Sequence, residues 1–391
     1  MPVAAAPRFL PAEEELHWIA LRLVTGLGPR KSGMLIERFR TPQAIFRAPV
    51  SELEGLGISG AVARSIHSGC AFEEAAEQHR KMKESGAVAI PITDPSYPEP
   101  LRQIFDPPVL LFVRGNLDLL RTIGFAVVGT RRPTPYGEAV AEKMSADLAR
   151  AGLTIVSGMA RGIDTSAHKG ALSANGQTTA VLGCGVDVVY PSENKKLAAD
   201  IASRGLLLSE FPMGSVAFPQ NFPIRNRIVS GMSAGLLVVE GAQYSGSAIT
   251  AKLALDQGRE LFAIPGNITS KLSWGPNLLI KQGAKLVQDW NDIIVELPPA
   301  VQRRLIDDGR QRILDEGLGH QLDEAQTAPH PQNEIGRKVL RLLKTDAAIH
   351  LDQILEQLEY CSSSEVIAAL FELEMMGQAK QMPGKNFVKV W

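Results

Sequence analysis

The sequence predicts an α/β fold, a doubly wound, mainly parallel sheet set between a helical N-terminal segment and a small C-terminal domain of helices and a hairpin. Three observations predict it. From about Ala87 to Leu297, short β-branched runs alternate with amphipathic stretches, and such alternation means a parallel sheet covered on both faces. Several of those runs end in glycine, where a strand would meet its turn. On either side of this region the apolar period becomes helical.

In chain order, Glu14 to Val24 is an amphipathic helix ending at Gly26-Leu27-Gly28, and Ser32 to Arg38 carries a second helical pattern. The plan recurs: Val50 to Leu53 leads to Gly55-Leu56-Gly57, with Ser59 as N-cap of a helix through Ile66. Two Gly-apolar-Gly hairpins, each closed by a helix, resemble a tandem helix-hairpin-helix or SAM-like domain over residues 1–84. Such glycines let backbone N–H groups approach a nucleic-acid phosphate. An αα corner that only packs fits the pattern equally, and Lys31 and Arg64 are the only suitably placed cations.

The core spans residues 85–297. Its strands are Phe125 to Gly129, Thr154 to Gly158, Thr179 to Gly183, Leu206 to Ser209, Leu236 to Glu240 and Leu261 to Pro265, with helices such as Gly137 to Arg150 and Thr250 to Gln257 between them. Residues 298–333, with Pro298-Pro299 and the polar run Gln326 to Asn333, read as a linker. The closing domain, 334–391, has one apolar stripe at Ile335, Val339, Leu342 and Leu343 and another at Leu351, Ile354, Leu355 and Leu358. Ser362 and Glu365 form a Ser-x-x-Glu capping box for a third helix to Met376. Gly377, Pro383 and Gly384 then punctuate two short strands ending at Phe387 to Val390. Three helices and a hairpin look like a winged helix.

Composition narrows the function classes. With 391 residues, 45% apolar and 21% charged, the chain is not mainly disordered. No run approaches the ~18 apolar residues of a membrane span. The opening MPVAAAPRFLPAEEE lacks a cationic stretch before an apolar core, so no secretory signal is expected. Cys70, Cys184 and Cys361 are odd in number and far apart, which argues against a disulfide framework or a structural zinc and for a cytoplasmic location. The 41 Lys+Arg balance 42 Asp+Glu, so an anion site must be local. The chain has no GxxxxGK[ST] motif; after Gly124, the turn reads Gly-Thr-Arg-Arg-Pro where a dinucleotide fingerprint would read GxGxxG, and no His/Cys/Asp group has metal-ligand spacing. No catalytic residue, cofactor or metal is therefore expected.

The candidate site lies at the strand ends. Gly129-Thr130-Arg131-Arg132 precedes a helix, and a helix N-terminus favours anions. Ser157 to Asp164 carries Arg161 and Gly162, with Asp164 or Thr165 capping the next helix. Phe218 to Arg227 contains Phe222, Arg225, Asn226 and Arg227, and Ser215 to Val239 has no Asp or Glu. Cations mixed with aromatics suit a groove that follows a backbone and stacks bases. Ion pairs from these arginines to Glu210 or Glu240 are the competing expectation. Ser245 and Ser247 open another hydroxyl-rich helix start. Asp164 reads as a cap or an arginine partner and His168 as structural.

VGTRRPTPYG, SGMARGIDTSAH, AVLGCGVDVVYP, SEFP, FPIRNRIVSGMS, VVEGAQYSGSAITA, GRELFAIPG and GPNLLIKQGA occur in this order from about Ile92 to Asp289. They resemble the DprA family of DNA processing proteins, also called Smf. The resemblance implies an extended Rossmann-like core that binds single-stranded DNA. It implies a homodimer that loads RecA recombinase onto incoming strands in natural transformation, without catalysis. The implied DNA-binding residues are Gly129, Arg131, Arg161, Phe222, Arg225, Asn226, Arg227 and Ser247, with Thr130, Gly162, Ser245 and Asn277 on the same motifs.

A second reading is a nucleotide-processing enzyme resembling the phosphoribohydrolases. Their PGGxGTxxE stretch would align with Gly241 to Thr250, which lacks the glycine pair and the glutamate. Glu240 is the one candidate, and it is expected to brace an arginine. The third helix of the closing domain carries Glu365, Glu372 and Glu374 and no cation, while Lys380, Lys385 and Lys389 lie on the wing. That charge pattern points to protein contact or wing-led DNA contact, since a helix reading the major groove would face phosphates.

Overall fold

The computed structural model describes residues 10–243, 245–308, 334–344, 349–358, 361–375, 379–382 and 384–389. The expectations for Tyr244, for the linker beyond residue 308, and for Met376, Gly377, Pro383 and Val390 lie outside them. The side chains of Glu372, Lys380 and Lys389 also fall outside the description. The chain forms two compact units, Met1–Ile313 and Leu314–Trp391.

The first unit begins with six helices: α1 (Ala12–Leu23), α2 (Pro29–Phe39), α3 (Pro42–Arg47), α4 (Val50–Gly55), α5 (Gly60–Ser68) and α6 (Phe72–Glu84). Pro29 and Pro42 open their helices, where the missing N–H costs nothing. Gly26 and Gly57 take φ of 81° and 82°, the left-handed turn each Gly-apolar-Gly hairpin requires. Ser59 precedes α5 as expected, but its side chain makes no capping bond. Inside the layer, buried Glu15 of α1 receives His79 and Lys83 of α6, each at 2.8 Å.

A nine-stranded sheet follows: β1 (Val88–Pro91), β2 (Leu110–Gly115), β3 (Gly124–Val128), β4 (Thr154–Ser157), β5 (Thr178–Val181), β6 (Leu206–Ser209), β7 (Ser233–Val238), β8 (Glu260–Ala263) and β9 (Lys285–Leu286). The order is β1-β2-β6-β5-β4-β3-β7-β8-β9. From β6 to β9 every pairing is parallel, whereas β1 and β2 are antiparallel additions at one edge. The chain builds outward from β3 through β6 and returns on the other side of β3 as β7. Open α/β sheets place ligands outside the carboxyl ends of strands at such a reversal.

The helices of this part are α7 (Glu99–Arg102), α8 (Pro135–Arg150), α9 (Ile163–Ser173), α10 (Lys195–Arg204), α11 (Asn221–Gly231), α12 (Gly246–Asp256), α13 (Trp274–Lys281), α14 (Asn291–Ile294) and α15 (residues 299–308). Strand side chains alternate between two faces. Phe125, Val127, Ile155 and Leu237 pack with Ala141 and Leu148 of α8 and Ala167 of α9. Ala126, Val128, Val156 and Leu236 face Ile228 of α11 and Ala251 of α12. The N-terminal helices share a third core with Phe112, Ala180, Leu182 and Leu207 of the sheet, so they and the sheet form one unit. No helix among the described residues is long and apolar enough to cross a membrane.

In the second unit, α16 (Glu334–Leu342), α17 (Leu351–Gln357) and α18 (Ser363–Met375) join β10 (Ile349–His350), β11 (Ala379–Met382) and β12 (Asn386–Lys389), paired as β10-β12-β11. Val339, Ile354, Leu370 and Phe387 form its core. The capping box is present: Ser362 N donates to Glu365 Oε2 at 2.8 Å, and Glu365 N donates to Ser362 Oγ at 3.3 Å. Three helices on a small antiparallel sheet make this a winged helix.

Two features of the sheet layer are testable. Gly170 lets α9 press on α8, since a Cβ there would overlap the Glu142 carbonyl. Gly170→Ala should cost about 1–3 kcal/mol through overpacking, read as a lower melting temperature. An unchanged melt would contradict the close approach. His168 of α9 is fully buried with Nδ1 2.7 Å from Thr178 Oγ1. Burial, with a smaller contribution from Arg225, lowers its pKa from 6.5 to about 3. The folded chain holds this ring neutral, so its contribution is complete above pH 6.5 and is lost as pH falls toward 3. By pH 5 the loss reaches about 2 kcal/mol. Denaturant unfolding at pH 7 and pH 5 should show a smaller pH loss in His168→Asn than in the native chain.

Candidate nucleic-acid interface

A cleft of about 520 Å³ opens at the carboxyl ends of β3, β4 and β7, where the sheet order reverses. Its walls come from the β3–α8 turn, the β4–α9 turn, α11 and the start of α12. Local sequence explains each wall. Gly129 leaves β3 where a Cβ would strike Ile163 and the Glu240 carbonyl. Thr134 caps α8, its Oγ1 accepting from Gly137 N at 3.1 Å. Ser245 caps α12, its Oγ accepting from Ala248 N at 3.3 Å, and lies 2.7 Å from Ser247 Oγ. That first helical turn faces the cleft with the positive end of its dipole.

Arg225 is the deepest cation, 4% exposed. Its Nη1 donates to the carbonyls of Gly158 and Val181 at 2.5 and 2.6 Å, and its Nε to Asn226 Oδ1 at 3.2 Å. Nη2 has no protein partner among the described residues. Burial draws its pKa down, and Asp164 pulls it back up. A guanidinium keeps its proton regardless. Asp164 Oδ2 accepts from Gly158 N and Ala160 N at 3.1 and 3.3 Å, while burial pushes its carboxyl above the ordinary value against the pull of Arg225. Gly158 is bare because a Cβ would overlap the Arg225 guanidinium.

Arg131 is exposed, and its guanidinium carbon stands 5.1 Å from the centroid of the Phe222 ring. The Arg225 guanidinium carbon is 6.0 Å from the same ring. Tyr190 flanks it with ring centroids 5.5 Å apart. Among the lining residues Asp164 is the only acid, and it is already engaged. The arrangement can hold an anion beside a stacking surface.

Of the candidates from sequence, Gly129, Thr130, Arg131, Phe222, Arg225, Asn226, Ser245 and Ser247 line this cleft. Four lie outside it. Arg227 turns inward: Nη1 and Nη2 donate to the two Glu210 oxygens at 2.7 and 2.8 Å, and Nε to Asp106 at 3.0 Å. Arg161 pairs with Glu193 at the surface. Gly162, at φ 76°, packs against the Thr130 carbonyl. Asn277 closes on the backbone of Gly266, donating to its O at 3.0 Å and accepting from its N at 3.1 Å.

Two expectations change. Glu240 braces no arginine. Its carboxylate accepts from Thr134 N at 2.9 Å and Thr134 Oγ1 at 2.6 Å, pinning the start of α8. The N-cap of α9 is Gly162, and Asp164 sits inside the first turn. Sequence reasoning did not single out Tyr190, Gly158 or Thr250 as lining residues. Tyr190 could have been found from its place at the end of AVLGCGVDVVYP, one turn beyond a Gly-ended strand.

Residues 88–298 match the family model for DNA recombination-mediator protein A, and residues 323–385 match the DprA winged helix domain. The chain is 34% identical to Protein Smf of Synechocystis over 96% of its own length and 98% of that protein. It is 45% identical to DNA processing protein DprA of Bacillus subtilis over 55% of this chain and 73% of that protein. The structure of DNA processing protein A from Streptococcus pneumoniae superimposes with a TM-score of 0.65 and 35% identity, covering 74% of this chain and 99% of that one. Sheet, cleft, winged helix and end-to-end similarity agree: the chain belongs to the DprA family of DNA recombination mediators.

Proposed function

We propose that the strand-end cleft binds single-stranded DNA without reading its sequence, and that the chain acts as a homodimer that hands this strand to the RecA recombinase in natural transformation. One observation carries the reading: Arg131 lies over the Phe222 ring, with Arg225 behind it and Tyr190 beside it, in a single cleft. Phosphates need cations, and exposed bases need a flat ring. A duplex keeps its bases stacked and cannot use the ring. Glu240 is held by Thr134, and Asp164, the one acid among the described lining residues, by two backbone amides, which favours binding over general-base chemistry.

Anisotropy of labelled oligo-dT, beside a duplex of equal length, tests this. The single strand should bind more tightly, and its affinity should fall with salt. Arg131→Ala should weaken binding and flatten the logarithmic salt slope by about 0.7, the value for one phosphate on a single strand. Phe222→Ala should lose about 1–3 kcal/mol of binding. Equal affinity for duplex, or an Arg131→Ala slope like the native one, would reject the site. Arg227→Ala should act differently. Leaving Glu210 buried and unpaired costs about 3–5 kcal/mol of stability, so the melt should fall while any folded fraction still binds the strand. RecA filament growth on single strands, with and without the chain, tests the hand-over, and sedimentation tests the dimer.

A further inference from the structure

Phe105, just beyond α7, is 75% exposed. The guanidinium carbon of Arg30 lies 4.5 Å from its ring centroid, so one aspect of the ring is engaged by a cation. The ring stands between two clefts and lines both. One, of about 890 Å³, holds Arg30, Lys31, Arg40 and Arg102 against a single acid, Glu37. Arg102 is occupied by Glu99 and by the carbonyls of Ile92 and Asp94. Arg30, Lys31 and Arg40 are exposed and have no acidic partner among the described residues.

The other cleft, of about 1010 Å³, has an apolar floor that includes Ile104, Phe211, Ile224 and Leu253. Its arginines are already answered: Arg227 by Glu210 and Asp106, and Arg22 by the Glu210 carbonyl at 3.0 Å. It meets the strand-end cleft at Pro223, which lines both. Three clefts thus follow one another over the surface, each end carrying an aromatic ring and an exposed arginine free of acidic partners among the described residues. The middle one combines its apolar floor with Asp106 and Glu210, both held by Arg227, and with exposed Asp256 at its margin. An arginine over an aromatic ring occurs at both ends, Arg131 on Phe222 and Arg30 on Phe105.

We propose that Phe105, Arg30 and Arg40 form a second single-strand subsite, on the path of a strand that leaves the first cleft over Pro223. A base stacks on Phe105 and its neighbouring phosphates lie against Arg30 and Arg40. The proposal rests on the single-strand reading of the strand-end cleft. An acidic peptide would use the cations but has no need of an open ring that repeats the Arg131–Phe222 pair.

Oligo-dT of about 6 and about 20 nucleotides separates the two subsites, the shorter one being enough to fill a single cleft. The full chain, Phe105→Ala and the double variant Arg30→Glu, Arg40→Glu are titrated with each, after melts confirm that the variants fold. All three should bind the short strand alike. The native chain should bind the long strand more tightly, and each variant should lose that gain, on the order of tenfold. The double variant should also flatten the salt slope for the long strand by about 1.4, two single-strand phosphates' worth. If both variants keep the full gain with length, the second subsite is overturned and the groove is left to a protein partner. If the native chain fails to bind even the short strand, the strand-end cleft itself is the reading that fails.

Discussion

The cleft depends on one buried guanidinium. Parallel strands end in carbonyl groups that nothing in the sheet satisfies, and Arg225 gathers two of them, from Gly158 and Val181, into one grip. Burying that charge is tolerable because Asp164 lies nearby and is itself held by two amides. The consequences spread through the neighbourhood. Position 158 has no room for a side chain, and the guanidinium adds a smaller push to the burial that already keeps the ring of His168 neutral. Arg225 is therefore both a wall of the site and the reason the wall stands.

The central strands were legible from sequence because each is a short apolar run, three of the six closed by glycine, and a run buried on both faces has little freedom to be anything else. Their observed bounds differ from the expected ones by at most three residues, and Leu206–Ser209 is unchanged. β1 and β9 carried no such signal: β1 ends in Pro91, and β9 is two exposed residues. β2, an apolar run that ends at Gly115, carried it and was not singled out. The site was legible as a set of strand ends but not residue by residue. Phe218 to Arg227 read as one cationic stretch, yet its second half belongs to α11. On a helix, Phe222, Arg225 and Asn226 share a face, whereas positions two apart point away from one another. That spacing sends Arg225 to the cleft and Arg227 to Glu210. The Glu240–Thr134 clasp spans 106 residues, and no local pattern announces a contact so distant.

Glu210 shows how the helical layer is fastened to the sheet. Its carboxylate takes both terminal nitrogens of Arg227 from α11, and its carbonyl takes Nε of Arg22 from α1. The apolar contacts of the third core surround the same region. The N-terminal helices are therefore part of the architecture of the sheet edge, and the clefts beside Phe105 exist because the layer is seated there.

The walls of the strand-end cleft are set by the ends of a covered sheet, by capped helix starts and by Arg225. If a strand settles there as proposed, it meets walls built by the fold itself, and much of the disorder given up on binding would be its own. The thermodynamic signature would then follow the nucleotide: a limp, poorly stacked pyrimidine tract fits at the cost of its own freedom alone, whereas an adenine tract must first break the order it already has.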